Sequence, residues 1–154
     1  MKAIVYEKYG PPSEVLELKE VEKPTPEDNE LLIRNFATSL NYGDIVARKF
    51  SKIPVRDFHM PLPLWLIGRM QSGFSKPKTT ILGSEFAGEI ESVGKDVTRF
   101  RVGDQVFGYL RQTMGADAEY LCMPEDGIVA IKPTNMTYMD RTPRWIGIPK
   151  SGEE

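Results

Sequence analysis

Apolar and polar residues alternate along several short stretches of this chain. Residues 15–22 (VLELKEVE) change between apolar and charged side chains at nearly every position. Residues 86–93 (FAGEIESV) place Ile90 on one face of an extended chain and Val93 on the other. Successive side chains of a strand point to opposite faces, so this spacing predicts half-buried β-strands. Similar patterns predict further strands at 2–7, 31–38, 99–109, 117–123 and 127–133.

Two stretches follow a helical spacing instead. Residues 41–50 (NYGDIVARKF) read as a turn entering a short helix, with Asp44 as the predicted N-cap because its carboxylate accepts hydrogen bonds from first-turn amides. Residues 63–74 (PLWLIGRMQSGF) predict a short amphipathic helix with Leu64, Ile67 and Met70 packed against the core, or alternatively a mobile lid. Seven or eight short strands, glycine and proline turns, and a few short helices predict a mainly β (α+β) barrel or sandwich.

Composition narrows the class of protein. A chain of 154 residues with 40% hydrophobic content is the usual size of one domain with one core. A net charge of −2 without a basic stripe argues against nucleic acid as a partner. The longest apolar run, at 60–68, is too short to cross a membrane, and the N-terminus does not resemble a signal peptide. These observations predict a cytoplasmic protein.

Candidate chemistry in the sequence is sparse. One cysteine, Cys122, and one histidine exclude a disulfide framework and a zinc site built from several Cys or His. Residues 83–88 (GSEFAG) have the glycine spacing of a phosphate loop but lack the Lys-Ser/Thr that follows it. Glu85 opens an otherwise apolar strand and needs a partner if buried, in either a structural or a site role. Asn41, Tyr42 and Asp44 form a polar cluster that serves as a helix cap or as part of a site.

Three segments together resemble a known family. Residues 1–48, 81–109 and 115–138 are similar to the N-terminal catalytic domain of medium-chain dehydrogenases/reductases, most closely the zinc-independent quinone oxidoreductase type. The elements G-x-E-x-x-G-x-I-x-x-V-G and V-G-D-x-V-F, at 83–94 and 102–107, carry this resemblance. It implies a GroES-like, partly open β-barrel over residues 1–138, followed by a divergent C-terminal tail at 139–154.

The resemblance also implies a site. Zinc-dependent relatives carry a cysteine at the position of Asn41 and a histidine at that of Ser84; neither side chain present here is a useful zinc ligand, so no metal is expected. The implied catalytic residues are Asn41, Asp44 and Glu85, and Asn41 and Tyr42 are implied to bind the cofactor. That cofactor is NADPH, which supplies the reductive chemistry while the protein positions it.

Relatives hold the nucleotide in a second, Rossmann domain, whose Gly-x-Gly-x-x-Gly signature this sequence lacks. We therefore expect the chain alone to bind NADPH weakly and to have little activity of its own. It would act with a Rossmann domain on a separate chain, or self-associate through its cleft face, which the 51–80 loop or the tail would otherwise cover. The alternatives are a free-standing GroES-like module that binds a ligand or protein, and a truncated product without function.

Overall fold

A computed structural model describes residues 1–49, 62–63, 66–67, 70, 73, 76–111 and 113–139. This part of the chain forms seven strands and two short helices. In chain order they are β1 (Lys2–Val5), α1 (Pro12–Val15), β2 (Glu17–Glu20), β3 (Glu30–Thr38), α2 (Tyr42–Lys49), β4 (Glu85–Val93), β5 (Gln105–Tyr109), β6 (Tyr120–Pro124) and β7 (Ile128–Ile131).

The main sheet curls into a partly open barrel. Its five antiparallel strands lie in the order β6-β3-β4-β5-β7, so β6 and β7 are its two edges. Only residues 125–127 separate these edge strands in the sequence, and such a short connection forces the two edges to approach each other. The hairpin of β1 and β2 forms a second sheet, joined by bridges from Ala3 to Ala118 and from Val5 to Ile81. The mainly β prediction is confirmed.

The core lies inside the curled sheet and is built by alternation along its strands. Leu31 and Ile33 of β3, Phe86 and Ile90 of β4 and Val106 of β5 are each buried and belong to one apolar cluster. Fully burying a side chain of this size is worth about 1.5–3 kcal/mol relative to exposing it. The inward rows of β3, β4 and β5 therefore form the core, and Glu85, next to inward-facing Phe86, lies on the opposite face of the sheet.

A bulge in β4 corrects the predicted alternation. Leu32 pairs with Ser92 and the next residue, Ile33, pairs with Ile90, so Glu91 is an extra residue without a cross-strand partner. An extra residue reverses the direction of the side chains that follow it. Val93 consequently packs against the same cluster as Ile90, although strict alternation placed them on opposite faces.

Two further parts of the chain differ from the sequence predictions, and two others are not described. Residues 12–15 form the short helix α1 where a turn was expected. Residues 99–104, the first arm and the turn of the strand–turn–strand predicted over 99–109, are not in a strand, and the backbone amide of Arg99 donates to the carboxylate of Glu125 instead. Residues 51–61 and the tail from 140 onward lie outside the described residues.

The predicted helix at 63–74 is described only in part. Its described residues up to Met70 are helical and Gly73 is not. Ile67 and Met70 are 51% and 58% exposed, so their predicted packing against the core is wrong, while Leu64 lies outside the described residues. Within the described residues, no helix has the length and apolar character to cross a membrane.

Candidate functional site

The start of α2 is fixed by a reciprocal pair of hydrogen bonds. Asn41 Oδ1 accepts from the backbone amides of Gly43 at 2.8 Å and Asp44 at 3.3 Å. In return, Asp44 Oδ2 accepts from the backbone amide of Asn41 at 2.8 Å. This is a capping-box arrangement, in which the N-cap and the third helical residue satisfy each other's free amides. The prediction of Asp44 as N-cap is therefore wrong: Asn41 is the N-cap, because the helix begins one residue after it.

Asp44 also ties α2 to the chain that leads into β4. Its second oxygen, Oδ1, accepts from the backbone amide of Gly83 at 3.1 Å. Burial raises the pKa of this carboxyl, the bonds from Asn41 and Gly83 lower it, and the charge of Glu85 raises it. Because Asp44 is only 1% exposed, it has no surface for a substrate. The catalytic role implied for Asp44 stays a prediction.

Asn41 and Ser84 are joined directly. The side-chain amide Nδ2 of Asn41 donates to Oγ of buried Ser84 at 2.6 Å. These are the two positions at which zinc-dependent relatives were expected to carry a cysteine and a histidine. Amide and hydroxyl are poor zinc ligands, and no cluster of three or more His, Cys, Asp or Glu suited to a metal occurs within the described residues.

Glu85 follows Ser84 and begins β4. It is partly buried, and its Oε2 accepts from Oγ of Ser39 at 2.5 Å. Ser39 is almost fully buried, so its hydroxyl depends on this carboxylate. The expectation that Glu85 is partly buried and hydrogen-bonded is confirmed. A catalytic role for it stays a prediction.

A groove lies beside Glu85 on the outer face of the sheet. Pairing across three strands aligns Glu85 with Tyr109 and Tyr109 with Ile128, and in the next row places Phe107 opposite Ala130. Together with neighbouring residues they line an open groove of about 410 Å³. The groove is mainly apolar and has the Glu85 carboxylate in its lining.

The predicted site residues therefore fall into three groups. Asn41 is partly exposed beside Ser84, and Glu85 follows Ser84 along the chain. Asp44 is buried and accepts from the backbone amides of Asn41 and Gly83. Tyr42 is 78% exposed at the first turn of α2, where it is available to a partner or ligand.

Sequence reasoning missed Asp117. Its Oδ1 lies 3.2 Å from Oγ1 of Thr38, and burial followed by the charge of Asp44 raises its pKa to about 6, against the lowering effect of the Thr38 bond. A signal was present, since Asp117 is a lone carboxylate between Ala116 and Ala118, both buried.

Cys122, expected to be a buried structural thiol, is half-buried in β6. It is aligned with Leu32 in the first half of β3, whereas Asn41 follows the opposite end of that strand. Burial, with a smaller contribution from Glu30, raises its pKa to about 11. Both its position and its neutral state separate it from the candidate site.

Comparisons of this chain with known proteins all point to one family. Residues 27–133 match the alcohol dehydrogenase GroES-like domain. The chain is 32% identical over 140 residues to the mitochondrial NAD(P)H oxidoreductase RTN4IP1 of Dictyostelium discoideum, covering 90% of this chain and 35% of that protein. It is 35% identical over 128 residues to a quinone oxidoreductase of Pseudomonas aeruginosa, covering 83% and 32%.

Solved structures of quinone oxidoreductases are similar in fold to this chain. The quinone oxidoreductase of Escherichia coli, complexed with NADPH, has a TM-score of 0.67 at 26% identity, with 90% of this chain and 35% of that chain covered. The Coxiella burnetii quinone oxidoreductase has a TM-score of 0.66 at 28% identity, with 90% and 38% covered. This chain thus spans about a third of the length of the curated relatives it matches. It belongs to the alcohol dehydrogenase GroES-like domain family, in the quinone oxidoreductase-like part of the medium-chain dehydrogenases/reductases.

Proposed function

We propose that this domain is the catalytic-domain portion of an NAD(P)H-dependent, zinc-independent oxidoreductase that reduces quinones, enones or aldehydes. The observation that carries the proposal is the hydrogen bond from Asn41 to Ser84 beside Glu85. This bond joins two polar side chains that are poor zinc ligands, at positions where the family resemblance implies a cleft, and relatives of the domain include NAD(P)H and quinone oxidoreductases.

The side chains at this point suit the nicotinamide end of the cofactor. A side-chain amide carries two hydrogens, and Asn41 uses one toward Ser84, so the other is available to a carbonyl group. Glu85 is partly buried and Tyr42 is exposed, so both present polar atoms to an incoming amide. The sequence has no Gly-x-Gly-x-x-Gly, and the phosphates are expected to be held by a Rossmann domain.

The residues of this domain act by binding and positioning. Asp44 holds Asn41 at the start of α2, and Asn41 in turn holds Ser84. Ser39 fixes one oxygen of Glu85 and leaves the carboxylate at the edge of the groove. When bound, the nicotinamide cofactor supplies the hydride. The protein contributes a fixed geometry, whose value lies in holding the reacting groups in one orientation.

The groove beside Glu85 supports a substrate with a flat apolar body. Phe107 and Tyr109 give it aromatic surface, and Ile128 and Ala130 give it aliphatic surface. At about 410 Å³ it falls within the usual range of small-molecule pockets. Quinones and enones have this combination of a planar apolar skeleton and carbonyl oxygens.

Binding of a cofactor fragment tests the proposal. Reduced nicotinamide mononucleotide is titrated into ¹⁵N-labelled protein at millimolar concentration, and side-chain amide shifts are followed by NMR. We expect the Asn41 side-chain amide to shift. The side-chain amide of exposed Asn29, just before the opposite end of β3, serves as the internal control and should stay unchanged. Equal shifts of both amides, or a shift of Asn29 alone, would contradict the proposed cleft.

We further propose that the exposed apolar surface near α2 is covered in the working protein by a Rossmann domain, carried on a separate chain or elsewhere in the same polypeptide. Leu40, Tyr42 and Ile45 expose large side chains at the start of this helix. A surface of this kind usually marks an interaction site. Self-association is the competing occupant, and light scattering at increasing protein concentration separates the two, because a Rossmann-domain interface predicts a monomer in isolation.

A further inference from the structure

The hydroxyl group of Thr38 has one hydrogen to donate but lies within hydrogen-bond distance of two acceptors. Its Oγ1 lies 2.9 Å from the backbone carbonyl oxygen of Glu85 and 3.2 Å from Oδ1 of Asp117. A hydroxyl donates only one hydrogen bond. If Asp117 is ionised, one of the two acceptors goes without its donor. If Asp117 is protonated, it donates to Thr38 and Thr38 donates to the Glu85 carbonyl, so both contacts of the Thr38 hydroxyl are hydrogen bonds.

A second carboxyl group faces Asp117 across Gly83. Asp44 Oδ1 accepts from the amide of Gly83, and a Cβ placed on Gly83 would lie 2.6 Å from Oδ1 of Asp117. The two carboxyl groups therefore flank the same glycine. Like charges at short range disfavour each other's ionised form.

The other groups around Asp117 bring no positive charge. From β1, the amide of Ile4 donates to the backbone carbonyl of Asp117, and the amide of Asp117 donates to Leu82. From β3, Thr38 supplies a hydroxyl, and buried Asn35 donates its side-chain amide to the carbonyls of Ala116 and Ala118 on either side of Asp117. From α2, Asp44 supplies the charged group that acts on Asp117. The residue is thus fixed by its backbone hydrogen bonds, and among the described residues no cation contributes to the pKa of its carboxyl group.

We propose that Asp117 is a titrating positioning residue for the start of β4: its protonated form lets Thr38 donate to the Glu85 carbonyl, and its ionised form draws that donor away. The arrangement makes the attachment of Glu85 depend on pH. The hydrogen bond itself is independent of the proposed oxidoreductase function, and only its value to a cleft residue rests on that function.

The direction of the pH effect follows from the shift of the carboxyl pKa. Burial and the Asp44 charge raise the pKa of Asp117 from its ordinary value to about 6. For a pKa raised in the folded state, the stabilising contribution is complete below the unfolded value and is lost as pH rises through the folded value. The Thr38–Glu85 bond should therefore be strongest in acid and weaken toward neutral pH.

The test is a pH titration by NMR of the whole chain, with ¹³C-labelled carboxyl and carbonyl carbons. It is performed in the Glu85→Gln variant, so that Glu85's own side chain does not titrate. We expect the Glu85→Gln backbone carbonyl and the Asp117 carboxyl to change with one common midpoint, well above the ordinary aspartate value. A carbonyl that does not follow Asp117, or an Asp117 midpoint at the ordinary value, overturns the proposal.

Two further variants separate positioning from general structural effects. Asp117→Asn donates to Thr38 at every pH, so the carbonyl signal should stay at its low-pH position throughout. Thr38→Val removes the intermediate hydroxyl, so Asp117 should titrate without moving the carbonyl. Persistence of the coupling in Thr38→Val would also overturn the proposal. If either variant fails to fold, the titration with Asp117 and Thr38 intact still decides, and neither measurement requires the cofactor to bind.

Discussion

Asn41 donates its side-chain amide to Ser84 Oγ at 2.6 Å, joining the N-cap of α2 to the residue that precedes β4. The two residues are 43 positions apart in the sequence. Asn41 Oδ1 is occupied by the first-turn amides, so this one side chain both starts the helix and attaches it to the sheet. The contact shows that the two positions expected to bind zinc in metal-dependent relatives are neighbours in this fold as well.

We predict that the purified, untagged protein contains no stoichiometric zinc. Protein zinc sites use thiolate, imidazole or carboxylate ligands, and Asn41 and Ser84 offer an amide and a hydroxyl. Elemental analysis by mass spectrometry checks this. The double variant Asn41→Cys, Ser84→His is the matched control, since it restores two ligand types at neighbouring positions and should retain more zinc. One zinc per chain in the unmodified protein would contradict the prediction.

Glu85→Ala is expected to lower the free energy of unfolding by about 1–3 kcal/mol, because it leaves the buried hydroxyl of Ser39 without its acceptor. Urea denaturation measures the change. In a double-mutant cycle, Ser39→Ala should recover part of the loss, since it removes the unsatisfied donor. A loss within about 0.5 kcal/mol for Glu85→Ala, the range of ordinary surface substitutions, would mean that the Ser39 bond contributes nothing.

Gly83→Ala should destabilise the protein much more than Gly103→Ala. Both glycines have positive φ, at 85° and 88°, so both substitutions carry backbone strain of about 1 kcal/mol or more. Only at Gly83 does the added Cβ meet other atoms, lying 2.6 Å from both the amide nitrogen and Oδ1 of Asp117, whereas nothing lies within 4 Å at Gly103. Thermal or urea unfolding of the two variants compares them. Equal losses would show that the contact between Gly83 and Asp117 is loose.

Cys122 should react slowly with iodoacetamide in the native protein. Burial raises the pKa of its thiol from the ordinary value of 9.0 to about 11, which lowers the reactive thiolate fraction by about 100-fold at mildly alkaline pH. Labelling rates in the native protein and in denaturant, at the same pH, measure the ratio. A native rate equal to the denatured rate would show an exposed, ionisable thiol instead.

Much of the local structure could be predicted from residue patterns. Alternation placed β3, β4, β6 and β7 nearly correctly, and the turn before Asp44 placed α2. These elements depend on short-range rules: side chains alternate along a strand, and polar residues with free oxygens begin helices. The motifs at 83–94 and 102–107 also indicated the family, which the match over residues 27–133 supports.

The exact roles of individual residues depended on contacts between distant parts of the chain. The N-cap is Asn41 rather than Asp44 because Asp44 also reaches back from the first turn to Asn41 and across to Gly83. The bulge at Glu91 arises from pairing with β3, which turns Val93 inward. The bulge and the bond to Gly83 are not visible in a local pattern, because each depends on which strand or loop lies alongside, whereas the Asn41–Asp44 pair spans only three positions.

Asp117 shows most clearly what could not be predicted from the sequence. In the sequence it is one acid between two alanines, and neither of these neighbours carries a charge. Folding brings it to Thr38, 79 positions earlier, and within the electrostatic reach of Asp44. A pKa depends on burial and on the charges that surround the group in space. The sequence alone determined most strands, the turns and the family. Only the tertiary structure decided which side chains are hydrogen-bonded to one another, because that depends on distances between residues far apart in the chain.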